Sequence, residues 1–141
     1  MSVFEAHSGE ETIELGRKIA ATLPRRAVVL LIGNLGAGKT TLAKGIIHGL
    51  CGVDPDEVAS PTFTLIHEYG GGRVYHIDLY RLDKPDEVAT LGLDDIFDRD
   101  AVVLIEWGER FPQLMPTDRV EIRLDALGGD DRRIELTIGA E

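Results

Sequence analysis

The sequence predicts an α/β domain of three layers, a mostly parallel central sheet extended by antiparallel hairpins. Three observations carry that prediction. Residues 27–32 and 101–105 are unbroken apolar runs rich in β-branched side chains, the pattern of parallel strands buried on both faces. Segments with apolar residues at helical spacing stand before and after the first run. Two further pairs of segments, 62–69 with 73–80 and 119–124 with 133–138, flank Gly70-Gly71-Gly72 and Gly128-Gly129-Asp130, as the arms of hairpins do.

In chain order, Ser8-Gly9-Glu10-Glu11 reads as a capping box. Residues 12–23 carry apolar positions at 13, 15, 16, 19, 20 and 23, an amphipathic helix stopped by Pro24. The first apolar strand follows, then a glycine-rich loop, then a helix over 41–50 with apolar residues at 42, 43, 46, 47 and 50. Residues 53–58 read as a short helical turn with Pro55 near its start. Ser60-Pro61 forces an extended entry into a strand at 62–69, rich in β-branched and aromatic residues. From Lys84-Pro85 a helical region runs toward Phe97, with Gly92 as its break. The second apolar strand ends abruptly in Glu106-Trp107, and Pro112 and Pro116 mark a loop. The closing hairpin alternates polar and apolar residues, so one of its faces is wet. No repeat, linker or low-complexity tract divides the chain, and residues 1–141 read as a single domain.

Composition narrows the function classes. The 141 residues are 43% hydrophobic, ordinary for a soluble globular domain with one core. No apolar stretch approaches the ~18 residues that span a bilayer. Met1-Ser2-Val3-Phe4-Glu5-Ala6-His7 lacks the basic start and apolar run of a signal peptide. Cys51 is the only cysteine, which excludes an internal disulfide and a cysteine-rich zinc site. These features favour the cytoplasm. Fifteen basic against twenty-five acidic residues give a net charge of −10, which argues against gripping a nucleic-acid backbone unaided. Solubility accounts for most of that charge, and the acidic stretch at 94–100 is also a candidate face for a basic protein partner.

The sharpest signal is Gly33-Asn34-Leu35-Gly36-Ala37-Gly38-Lys39-Thr40, which spells G-x-x-x-x-G-K-[ST], the phosphate-binding P-loop. A strand leads in and a helix leads out, as the motif requires. Glycines let the backbone of Gly36, Ala37, Gly38, Lys39, Thr40 and Thr41 curl so that N–H groups converge on phosphate at a positive helix end. Lys39 would reach the β- and γ-phosphates, and the Thr40 hydroxyl would ligate Mg²⁺. Such a site needs a further carboxylate at the end of an adjacent apolar strand. Glu106 and Asp78 both qualify, one for the metal and the other to orient the attacking water. Thr62 and Thr64 occupy the segment where such proteins place a γ-phosphate sensor, although strand propensity also explains them. His67 and His76 face each other across one hairpin, where packing explains them better than metal binding, and Trp107 reads as a packing residue.

Among nucleotide enzymes, a Ras-like GTPase is disfavoured because its [NT]-K-x-D guanine motif is missing: the only asparagine is Asn34. A small-molecule kinase would need an acceptor pocket and an arginine-bearing lid, and the stretch from 81 to 110 is short for both. An ATPase that works within an assembly asks nothing more of the chain, and a regulatory module that binds ATP without turnover is the rival class.

Four blocks in order, Gly33-Asn34-Leu35-Gly36-Ala37-Gly38-Lys39-Thr40-Thr41, Ser60-Pro61-Thr62-Phe63-Thr64-Leu65, His76-Ile77-Asp78-Leu79-Tyr80-Arg81-Leu82 and Glu106-Trp107, resemble those of the bacterial TsaE (YjeE) family. The similarity covers roughly residues 8 to 138. The resemblance implies a P-loop NTPase-like fold with an unusual strand arrangement. It also implies a role in tRNA threonylcarbamoyladenosine (t6A) biosynthesis beside TsaB and TsaD, which modify adenosine 37 of tRNAs reading codons that begin with A. ATP hydrolysis would support multiple turnover by these partners, so a Mg-dependent ATPase that is slow alone is expected. By the same resemblance Thr40 and Glu106 are the metal ligands, Asp78 the catalytic aspartate, Thr62 the switch-like threonine, and Thr12 the helix threonine that approaches the nucleotide. Either Arg132 or Arg133 takes the family's basic position near the end.

Overall fold

The computed structural model describes residues 1–62 and 64–138. Its strands are β1 (Ser2–Ala6), β2 (Ala27–Ile32), β3 (Ile66–Tyr69), β4 (Val74–Asp78), β5 (Val102–Glu106), β6 (Val120–Gly128) and β7 (Asp131–Ile138), joined in one sheet of order β1-β7-β6-β2-β5-β4-β3. The two unbroken apolar runs take the central places their sequence demands, β2 lying parallel to β5 and to β6, with β4 parallel to β5. The outer pairs β1–β7, β6–β7 and β3–β4 are antiparallel. Edge strands tolerate a wet face and β2 does not: Val29, Leu30 and Leu31 are at most 1% exposed, whereas Val3 in β1 is 46% exposed.

Helices cover both faces. They are α1 (Gly9–Ala20), α2 (Lys39–Cys51), α3 (Pro85–Ala89) and α4 (Leu93–Phe97), with Gly92 capping α4 in the left-handed region, as the expected break. Strand parity sorts the side chains between two cores. Val29, Leu31, Val102 and Leu104 pack with Ile19, Leu42, Ile46 and Ile47 of α1 and α2. Their neighbours Val28, Leu30, Val103 and Ile105 pack with Val88, Leu93, Ile96 and Phe111 on the other side. Each fully buried Ile or Leu contributes about 1.5–3 kcal/mol, so α2 is pinned to the sheet by its apolar stripe. Helices α1 and α2 touch backbone to backbone: a Cβ on Gly45 would stand 2.0 Å from the Ile13 carbonyl oxygen. The first turn of α2 is thereby locked in place at the carboxyl end of β2.

Several boundaries differ from expectation. The first helix starts at Gly9, where the expected Ser8 cap places it, the Ser8 hydroxyl accepting from Glu11 N, but it ends at Ala20, three residues short of Leu23. Only half of the capping box forms, since the Glu11 carboxylate accepts from His7 N. The strand expected at 62–69 begins at Ile66, because Leu65 adopts φ 69° and breaks the extended run, while the Phe63 position within it lies outside the described residues. Strand β1 has no counterpart among the expected elements. His67 does lie opposite His76. Three of the acids at 94–100 are engaged within the chain, Asp95 by Arg99, Asp98 by Arg26 and Asp100 by Arg25. Among the described residues no helix is long and apolar enough to cross a membrane.

Candidate phosphate-binding site

At the carboxyl ends of β2, β4 and β5 lies a cleft of about 280 Å³ lined by Gly36, Gly38, Lys39, Thr40, Thr41, Thr62, Asp78, Glu106, Trp107 and Arg132, with Leu35, Ser60 and Tyr80. In open parallel sheets this edge is where ligands bind. Parity explains why the acids meet there. Asp78 pairs with Glu106 in register, and both sit on the strand positions that face α2, in step with Val74 and with Val102 and Leu104. The loop from Gly33 to Gly38 turns on Gly36 and Gly38 (φ 82° and 101°), conformations that glycine enters without a Cβ clash, and Gly38 then serves as N-cap of α2.

Lys39, Thr40, Thr62, Asp78 and Glu106 are each already held within the cleft. The Lys39 ammonium, 4% exposed, donates to the Gly33 carbonyl at 2.7 Å and lies 3.4 Å from the centre of the Trp107 ring. Burial pushes its pKa down, and the charges of Glu106, Glu109 and Asp78 resist that fall. The Thr40 hydroxyl lies 3.0 and 3.3 Å from the two Glu106 carboxylate oxygens. Asp78 accepts from Tyr80 N at 2.9 Å on one oxygen and from the Thr62 hydroxyl at 3.0 Å on the other, and Thr62 also meets the Ser60 hydroxyl at 2.7 Å. Glu109, half-buried beside this group, has its pKa raised by desolvation.

Of the residues expected from sequence, Gly36, Gly38, Lys39, Thr40, Thr41, Thr62, Asp78 and Glu106 line the one cleft. Ala37 is buried behind it, and Thr12 lies outside it, in the first turn of α1 with its hydroxyl on the Ser8 carbonyl at 3.1 Å. The two candidate arginines differ in position. Arg132 lines the cleft and donates to the carbonyls of Ala37 (2.9 Å) and Gly36 (3.3 Å), while Arg133 pairs with Glu135 at 2.6 Å along β7. Two residues carry more than sequence reading assigned them. Trp107, beyond packing, covers the lysine from a left-handed backbone (φ 69°), and His76 bonds Glu106 rather than only packing across the hairpin. A larger groove of about 700 Å³ between α1, β1 and β7 has an apolar floor and the carboxylates of Glu5, Glu11 and Glu14. Its acids outnumber its one lysine, Lys18, so the smaller cleft is the better candidate for phosphate.

A family model described as threonylcarbamoyl adenosine biosynthesis protein TsaE matches residues 6–134. The chain belongs to the TsaE family. Relatives in that family include tRNA threonylcarbamoyladenosine biosynthesis protein TsaE of Rickettsia bellii, 40% identical over 93% of this chain and 91% of the relative. The proteins of the same description from Nostoc and from Bacillus subtilis are each 42% identical over 91% of this chain and 80% of their own length. Among solved structures, that of YdiB from Bacillus subtilis superposes with a TM-score of 0.77 at 33% identity, covering 98% of this chain and 85% of that one. That likeness agrees with the α/β sheet described above, and the candidate phosphate cleft lies within the span that the family model matches.

Proposed function

We propose that this chain is the ATP-binding and ATP-hydrolysing component of the tRNA N6-threonylcarbamoyladenosine (t6A37) machinery, acting in the cytoplasm with TsaB-like and TsaD-like partners. The convergence of Lys39, Thr40, Asp78 and Glu106 in one cleft beside the P-loop carries the ATPase reading. Family membership supports the pathway, and a net charge of −10 supports leaving the tRNA to the partners.

The donor set suits Mg²⁺. Thr40 and Glu106 offer hard oxygen atoms that already lie side by side, and magnesium uses one or two protein oxygens plus phosphates rather than a full protein cage. When bound between them, the ion would neutralise charge on the β- and γ-phosphate oxygens. The chain's own residues do the rest. Backbone N–H groups of the loop and of the first turn of α2 cradle the phosphates. Lys39 leaves the Gly33 carbonyl and donates to the β- and γ-oxygens. Asp78, with one oxygen fixed by Tyr80 N–H, orients the attacking water, and Thr62, bridging Ser60 and Asp78, senses the γ-phosphate.

Phosphate release from MgATP tests this, measured for the pure protein and again with a TsaB- and TsaD-like pair. Slow turnover alone, rising by ~10³-fold or more with the pair and lost on Glu106→Ala, is expected. Turnover of about 10 s⁻¹ indifferent to the pair would overturn it, as would phosphate found on a metabolite, the mark of a small-molecule kinase. Tight ATP binding with no release under either condition would leave a regulatory binding module.

A further inference from the structure

We propose that His76 is a positioning residue for the Glu106 carboxylate, fixing the metal-ligating side chain in the orientation that Thr40 and Mg²⁺ require. The inference rests on the reading of Glu106 as the magnesium ligand. His76 is wholly buried on β4, two residues before Asp78 and opposite Leu104 of β5. By strand parity its side chain faces α2, as those of Asp78 and Glu106 do. Its Nε2 lies 2.6 Å from Glu106 Oε2, and a carboxylate partner assigns the ring proton to that nitrogen. The Thr40 hydroxyl approaches the same carboxylate, 3.0 Å from Oε2, the oxygen that His76 meets, and 3.3 Å from Oε1.

The geometry shows what each neighbour supplies. A hydroxyl has one proton and can serve only one carboxylate oxygen at a time, and the terminal torsion of glutamate is broad. Thr40 alone therefore leaves the carboxylate free to rotate. A second donor, anchored on the rigid centre of the sheet, removes that freedom. The other ring nitrogen, Nδ1, is buried and has no hydrogen-bond partner among the described residues. An imidazole placed only to fill the core would satisfy both nitrogens or give way to an aliphatic residue, as at the neighbouring Val74 and Ile77. Here the one polar contact of the ring among the described residues is the hydrogen bond that Nε2 donates to Glu106. Hydrogen-bond partners that orient metal ligands change metal affinity by about 10- to 100-fold when removed.

The test is nucleotide binding by the folded protein, followed by calorimetry at graded Mg²⁺ and again in EDTA, with melting curves as a fold control. For His76→Phe, which keeps the ring and removes the donor, the Mg²⁺ needed for half-maximal enhancement should rise by about tenfold or more while binding in EDTA stays within twofold. His76→Gln, whose amide nitrogen reaches near the Nε2 position, should restore the wild-type Mg²⁺ response, and the shorter His76→Asn should not. Should the Phe variant fail to fold, the Gln and Asn pair decides alone. A folded Phe variant with the wild-type Mg²⁺ response overturns the proposal, as does an equal loss in EDTA or a Gln variant no better than Asn. Wild-type binding that ignores Mg²⁺ instead removes the metal reading of Glu106, and this proposal with it.

Discussion

Replacing Lys39 by alanine separates a phosphate site from a glycine-rich turn that happens to fit the motif. In the structure the ammonium rests on the Gly33 carbonyl and the Trp107 ring, and burial already works against its charge. Losing those contacts while relieving the desolvation should leave the unliganded protein within about 1 kcal/mol of wild type. Binding is another matter. Charge-assisted bonds to phosphate are worth about 1.5–3 kcal/mol, so affinity should fall roughly 10- to 150-fold. Thermal shift reads this directly. At a nucleotide concentration 100 times the wild-type Kd, ligand stabilises wild type by about 2.7 kcal/mol; with Kd raised 100-fold the same concentration gives only about 0.4 kcal/mol. At about 3 °C per kcal/mol for a chain of this size, the shift should drop from about 8 °C to about 1 °C. Calorimetry supplies the Kd values, because the substitution also alters the surroundings of the sole tryptophan. A folded variant that ATP still stabilises by the full wild-type amount would refute the reasoning.

Other substitutions probe separate links in the same chain. Gly45→Ala should gain helix propensity yet lose about 2 kcal/mol by urea denaturation, because the new methyl would stand 2.0 Å from the Ile13 carbonyl oxygen; a gain in stability would mean that α1 and α2 are not in backbone contact. Glu109→Gln should raise Tm at pH 7. Burial lifts the folded pKa of Glu109 above its unfolded value, so in that window the folded state holds more protons and stability falls as pH rises. The advantage of the Gln variant should vanish below about pH 4, and an advantage equal at both pH values would contradict the burial argument. Asp78→Ala and Glu106→Ala should both depress phosphate release, but only the second should weaken the Mg²⁺ dependence of nucleotide binding. A ligand acts in ground and transition states alike, whereas an orienting carboxylate acts mainly in the latter. Wild-type turnover in both variants would misplace the acids.

What the sequence made legible was whatever local chemistry dictates. Two runs of buried β-branched residues can only be central strands, and β2 and β5 are adjacent and parallel. The P-loop could be located because its glycines, lysine and threonine are contiguous. Glu106 and Asp78 were legible because strand ends in a parallel sheet all open onto the same edge. The rest depends on partners distant in sequence. Strand β1 is five residues long and exists by pairing with β7, over a hundred residues away. The break at Leu65 reflects a loop that hands Thr62 to Asp78, a contact that β propensity does not encode. His76 and Trp107 each have a bland packing account, and only the fold brings one to Glu106 and the other over Lys39. For His76 a signal did exist: two residues before Asp78 on a buried strand, it must share that residue's face.

The distribution of cations around the cleft bears on why turnover, as proposed, should depend on partners. Among the residues that line it, the positive charges are Lys39 and Arg132. Arg132 already donates to four carbonyls, those of Gly36, Ala37, Gly129 and Asp131, so reaching a phosphate would mean releasing the loop it braces. Nearby Arg110 is committed to the carbonyls of Tyr80 and Leu82. Lys39 is the cation positioned for phosphate, and its charge is disfavoured by its own burial. In phosphoryl transfer the developing charge spreads over three equatorial oxygens, and a cation supplied in trans is worth ~10³-fold or more in rate. A cleft built this way can grip the ground state well while stabilising the transition state poorly. Leu35 and Tyr80 at its mouth are 72% and 41% accessible, so a partner of the proposed kind could reach the cleft with a further cation. The proposed dependence of turnover on a partner would follow from that imbalance.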